Sequence, residues 1–128
     1  MHGPYLQRDG VIYAVCLSMQ APVDITFRGM TPSPTVEDAI HRWVERLDLV
    51  FDRIEHCAVA IEVPHHHHQR GRMFRVRIDL AVPDRTIAVS RDPGLDHAHE
   101  DVYVAISDAF RAARRQLIDH ARYRKLHA

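Results

Sequence analysis

The sequence predicts an α+β fold, a βαβββα two-layer sandwich in which two helices cover one face of a four-stranded sheet. Three observations carry this. Apolar residues recur at helical steps in two long segments, and they alternate with polar ones in four short segments. The strands come in a run interrupted by helices rather than in strict strand–helix alternation, which places both helices in one layer. At 128 residues, with 46% hydrophobic and 27% charged, the chain has the size and composition of a single core, and neither disorder nor a fibrous repeat is indicated.

Residues 1–22 read differently from the rest. Gly3-Pro4, Asp9-Gly10 and Ala21-Pro22 punctuate one apolar patch, Val11 to Val15. The segment is either an N-terminal extension, disordered and preceding a natural start at Met19, or an extra strand at the sheet edge; the first reading is preferred. The domain proper is then 23–128. Val23, Ile25 and Phe27 share one face of a short strand that Gly29 ends. Ser33 then caps a helix whose first turn accommodates Pro34, because the N–H that proline lacks has no partner there. Val36, Ile40, Trp43, Leu47, Val50, Phe51 and Ile54 form one apolar stripe, expected to be core.

From Cys57 to Val63 the period switches to that of a strand, ended by Pro64. The polar loop at 64–72 leads into the cleanest alternation in the chain, Met73 to Val82, with Phe74, Val76, Ile78, Leu80 and Val82 inward. A short turn at Pro83-Asp84-Arg85 opens the fourth strand, Thr86 to Ser90, which carries Ile87 and Val89 inward. After the loop signature Asp92-Pro93-Gly94, the last helix is expected to begin near His99 or Glu100, with Tyr103, Ile106, Phe110, Ala113 and Leu117 as its apolar positions.

Seventeen basic and seventeen acidic residues balance, so nucleic-acid binding requires segregated charge. Segregation is visible. At about 100° per residue, Arg42, Arg46 and Arg53 fall on one flank of the first stripe, and Glu37, Asp38, Glu45, Asp48 and Asp52 on the other. Arg111, Arg115 and Arg122 share a solvent-facing stripe of the last helix. Arg114 lies nearer its core boundary, and Arg124 and Lys125 extend its basic end. Arg75 and Arg77 alternate on the outer face of the third strand, with Arg70 and Arg72 in the loop before it. Clustered guanidinium forks suit phosphate oxygens and would let these elements track an RNA backbone, whereas solvated helix faces with local ion pairs are the plainer account.

Other chemistry finds little support. Cys16 and Cys57 lack metal or disulfide spacing, which fits a reducing cytoplasm, and no apolar run is long enough to span a bilayer. His65 to His68 could attract Zn²⁺ or Ni²⁺, but consecutive histidines lack the spaced, preorganised ligands of a physiological site. His97 and His99 read as loop or helix-start residues. No G-x-S-x-G, P-loop or H-E-x-x-H motif occurs. No catalytic residue, cofactor, metal or small-molecule substrate is therefore assigned, and a metal-dependent enzyme using the histidine loop stands as the alternative from another class.

D-I-T-F-R-G-M at 24–30, the helix from Ser33, V-R-I-D-L-A-V-P at 76–83, H-E-D-V-Y-V-A-I at 99–106 and R-R-Q-L at 114–117 together resemble the bacterial ribosome hibernation-promoting factors, or ribosome-associated translation inhibitors, over about 23–122. The resemblance implies a non-enzymatic, cytoplasmic translation inhibitor that occupies the mRNA and tRNA channel of the small ribosomal subunit in stress or stationary phase. It implies rRNA contacts from Arg42, Arg46, Arg111, Arg115 and Arg122, with Tyr103 and Ile106 as core. It also implies a short form without the C-terminal domain that pairs ribosomes. Ser107 stands where that family often has an acidic residue. The topology resembles the double-stranded RNA-binding fold as well, without its lysine-rich helix start, so a generic duplex-RNA module is the rival binding reading.

Overall fold

The computed structural model describes residues 5–8, 11–17, 22–63, 74–91 and 101–126. Among these residues six strands and two helices follow in the order β1 (Tyr5–Arg8), β2 (Val11–Leu17), β3 (Pro22–Arg28), α1 (Pro34–Val50), β4 (His56–Glu62), β5 (Arg75–Val82), β6 (Arg85–Arg91) and α2 (Val102–Leu126). The predicted βαβββα unit is β3 to α2. The sheet runs β1-β2-β3-β4-β5-β6 and so extends two strands past the four expected from the sequence, because β2 pairs antiparallel with β3 from Ile12↔Phe27 to Leu17↔Pro22. Among the described residues the one parallel pair is β3 with β4, in register from Val23↔Cys57 to Arg28↔Glu62, and α1 is the crossover that such a pair requires.

Period-2 alternation puts Val23, Ile25 and Phe27 of β3, Cys57, Val59 and Ile61 of β4, Val76, Ile78 and Leu80 of β5 and Ile87 and Val89 of β6 on one buried face. The helices cover that face. From α1 come Val36, Ile40, Val44 and Leu47, and from α2 come Ile106, Phe110 and Leu117 with Ala105, Ala109, Ala112 and Ala113. Each large apolar side chain fully buried here contributes roughly 1.5–3 kcal/mol. Burial pushes the Cys57 thiol up to about 12, with the carboxylates of Asp48, Asp79 and Asp24 adding to the shift, so Cys57 is an unreactive core residue.

The element ends follow local chemistry. Ser33 Oγ accepts the Val36 N–H at 3.4 Å, and Pro34 stands in the first turn. The helix stops at Val50, where Phe51 turns extended while its N–H still donates to the Leu47 carbonyl at 3.1 Å. Ile54, expected on the helical stripe, is therefore a core residue beyond the helix. Gly29, at φ 73°, ends β3, and a Cβ there would stand 2.7 Å from the Val63 carbonyl oxygen, so only glycine fits. In the β5–β6 turn Pro83 precedes Asp84, whose φ of 77° is one that aspartate tolerates better than most residues.

Three further sequence expectations change. The last helix begins at Val102, because Asp101 caps it: its carboxylate accepts the Tyr103 N–H at 2.8 Å, and its carbonyl accepts the Ala105 N–H at 3.1 Å. Tyr103, expected in the core, is 45% exposed, since the alanines rotate the buried face away from it. Its hydroxyl donates to Thr35 Oγ1 at 2.8 Å and so ties the starts of the two helices together. Trp43, also expected in the core, is only half-buried.

His120 is the polar residue that the stripe conceals. It is buried at 3% exposure, Phe51 meets its ring edge-on at 5.4 Å, and neither ring nitrogen finds a hydrogen-bond partner among the described residues. Burial first, then the nearby Arg85 and Arg124 guanidinium groups, hold its pKa below the ordinary value. The folded chain therefore keeps the ring neutral where the unfolded chain protonates it. The corresponding stability is complete above about pH 6.5 and is lost as the pH falls, at up to about 1.4 kcal/mol per pH unit. We expect urea titrations of His120→Leu to show a shallower acid dependence than wild type between about pH 7.5 and 5.5; equal slopes would assign the acid sensitivity elsewhere.

Candidate nucleic-acid interface

The two helices divide the charge unequally. α1 carries four carboxylates against two arginines, whereas α2 carries six cations against two carboxylates. Packing α2 beside α1 turns this imbalance into a place. Arg46 of α1 and Arg111, Arg114 and Arg115 of α2 line a cleft of about 440 Å³ around Trp43.

Trp43 organises that cleft. Its ring lies nearly parallel to that of Phe110, at a centroid distance of 5.7 Å and an interplanar angle of 9°. The Arg46 guanidinium sits 4.8 Å from the indole centroid, a cation–π contact. Phe110 is fully buried and Arg46 is exposed, so a rigid core ring holds the indole and the indole holds a surface cation. Arg42, one turn before Arg46, and Arg122, two turns after Arg115, are exposed and continue the basic surface along the same helices.

The remaining predicted contacts lie elsewhere. Arg75 and Arg77 face away from the helices and, with Arg28, line a cleft on the open side of the sheet whose floor is Ala60. Carboxylates offset them: Arg75 Nη1 stands 3.6 Å from Glu62 Oε2, and Arg77 Nε donates to Asp79 Oδ2 at 3.3 Å. Arg53, Arg124 and Lys125 gather at the far end of the helices beside Phe51, Asp52 and Asp84. There Arg124 Nη1 donates to Asp84 Oδ2 at 2.6 Å. The eleven predicted positions thus fall into one inter-helical groove with its flanks, one sheet-face cluster and one end cluster.

Sequence reading missed two participants. Trp43 sat on an apolar stripe and read as core, and its place beside three arginines of another helix has no local signal. Arg28 follows the buried Phe27 and so faces outward, but only the pairing Arg28↔Glu62↔Arg75 brings it to Arg75. Residues 64–73 and 92–100, with His65 to His68, Arg70, Arg72, His97 and His99, lie outside the described residues. Among those described, no three His, Cys, Asp or Glu side chains converge on a metal position, and no helix is long and apolar enough to cross a membrane.

The family model described as Sigma 54 modulation protein / S30EA ribosomal protein matches residues 23–125. The chain belongs to that family. The match begins at β3 and closes within α2, so the S30EA unit is the βαβββα part of the molecule, including both walls of the groove. Two solved structures share this S30EA fold. The Thermus thermophilus Protein Y N-terminal domain is 17% identical, with a TM-score of 0.60 over 81% of this chain and 99% of its own. A ribosomal subunit interface protein from Coxiella burnetii is 15% identical, with a TM-score of 0.60 over 76% of this chain and 96% of its own. No curated protein matches the chain.

Proposed function

We propose that this S30EA-family protein is a non-enzymatic, cytoplasmic translation inhibitor that binds small-subunit rRNA in the channel for mRNA and tRNA and idles ribosomes under stress or in stationary phase. The observation that carries the reading is the groove itself, in which four guanidinium groups from two helices converge in a chain of zero formal net charge. Such a surface neutralises phosphates locally, where diffuse charge would not. The family, and the printed names of the two proteins that share the fold, point to the ribosome as the holder of those phosphates. Occupancy of the channel is sufficient for inhibition, and no chemical step is required of the protein.

Co-sedimentation with purified small subunits tests this. The protein should pellet with subunits at low salt and be released steeply as salt rises, because each phosphate contact made releases counterions. Failure to pellet at low salt would overturn the proposal. Equal binding to free duplex RNA would replace it with a generic RNA-binding module.

A further inference from the structure

We infer that the groove takes an unpaired ribonucleotide, its base stacked on the Arg46 guanidinium that Trp43 supports and its neighbouring phosphates held by Arg111 and Arg115; this rests on the reading of the groove as an RNA interface. Single-stranded RNA, rather than duplex, is the ligand class that this geometry selects.

Arg46 is the key group because its guanidinium already lies against the Trp43 indole. An arginine on an open helix face samples many rotamers and loses that freedom on binding. Here the guanidinium rests 4.8 Å from the indole centroid, a modest contact that favours this rotamer, and the indole in turn lies against Phe110. Part of the ordering cost is met before ligand arrives, and the platform is planar and cationic. Unstacked RNA bases settle on such guanidinium planes as they do on aromatic rings.

The neighbours fit a strand rather than a helix of RNA. Arg111, Arg114 and Arg115 belong to consecutive turns of α2 and stand together on the cleft wall, suited to successive phosphates of one chain. A duplex hides its base faces and offers only its backbone and shallow minor groove, so it would leave the guanidinium platform unused.

Trp43 is the only tryptophan in the chain and therefore reports on its own site. Titration of the full-length protein with a single-stranded octauridylate at low salt should change Trp43 fluorescence saturably. An RNA hairpin duplex with the same number of phosphates should bind more weakly and alter the emission little. Arg46→Lys keeps the charge and the fold but removes the plane, and it should weaken octauridylate binding on the order of tenfold, as expected for the loss of one stacked base. Octauridylate that leaves the emission unchanged, a duplex that alters it equally, or a lysine variant that binds as tightly as wild type would each overturn the inference. If the protein still sediments with small subunits in those cases, the ribosomal reading survives; if it does not, both fall.

Discussion

Replacing Arg46, Arg111 and Arg115 together by glutamate is expected to remove the protein from the small-subunit fraction at salt concentrations where wild type pellets fully. The three guanidinium groups come from two helices and share one cleft, so the substitution turns the centre of the basic surface acidic while leaving the core untouched. All three side chains are exposed, and exposed substitutions usually move stability by within about 0.5 kcal/mol each; loss of the cation–π contact between Arg46 and Trp43 adds roughly 0.5–1 kcal/mol. The triple variant should therefore lose no more than about 2.5 kcal/mol and stay folded at 25 °C, which separates loss of binding from loss of fold. Any binding that remains should show a shallower dependence on salt, by about two units in the log–log slope if three phosphate contacts are lost. Reversing Arg75 and Arg77 instead should leave most of the binding, because they lie on the far side of the sheet and carboxylates already neighbour them. Equal loss from both variants would move the interface away from the groove.

Phe110→Ala should produce the largest loss of stability of any single truncation near the groove. Phe110 is fully buried with its ring against Trp43, and truncation of such a ring costs about 3–5 kcal/mol. For a domain whose whole stability is of order 5–15 kcal/mol, this lowers the midpoint of thermal unfolding by on the order of 10–20 °C. The same substitution removes the ring against which Trp43 lies, so its fluorescence should report a looser indole even in molecules that remain folded. Phe110→Leu should recover much of the stability without restoring the flat contact. A leucine variant with wild-type emission would show that the parallel rings are incidental to the placing of Trp43.

What the sequence made legible follows from what periodicity encodes. Strict alternation from Phe74 to Val82 identified β5 and its inward face, and the Ser33-Pro34 pair marked the start of α1 to the residue. Alternation has no direction, however, and the parallel pairing of β3 with β4 came only with the structure. The buried face of α2 was misjudged at Tyr103 because four alanines carry much of it, and alanine weighs little in a search for large apolar residues. His120 was missed for the opposite reason, as a polar residue in an apolar place. For the site, the sorting of charge on each helix was readable, but which flank of α1 meets which flank of α2 depends on packing. Arg124 shows the limit most clearly: the sequence makes it part of a basic end, and Asp84, from the β5–β6 turn, neutralises it.

The strands succeed one another across the sheet in chain order, so most of the fold assembles between sequence neighbours, a topology of low loop-closure cost. The groove is built on the opposite plan. One wall belongs to the first helix and the other to the last element of the domain, so a molecule folded only as far as β6 owns a sheet, a core and Arg46 but no pocket. On the proposed reading of the groove, its affinity for RNA is completed only when α2 docks, and bound RNA would in turn stabilise that docked helix by mass action. A groove completed only by α2 would therefore double as a proofreading of folding, since a misassembled or clipped copy lacks one of its two walls.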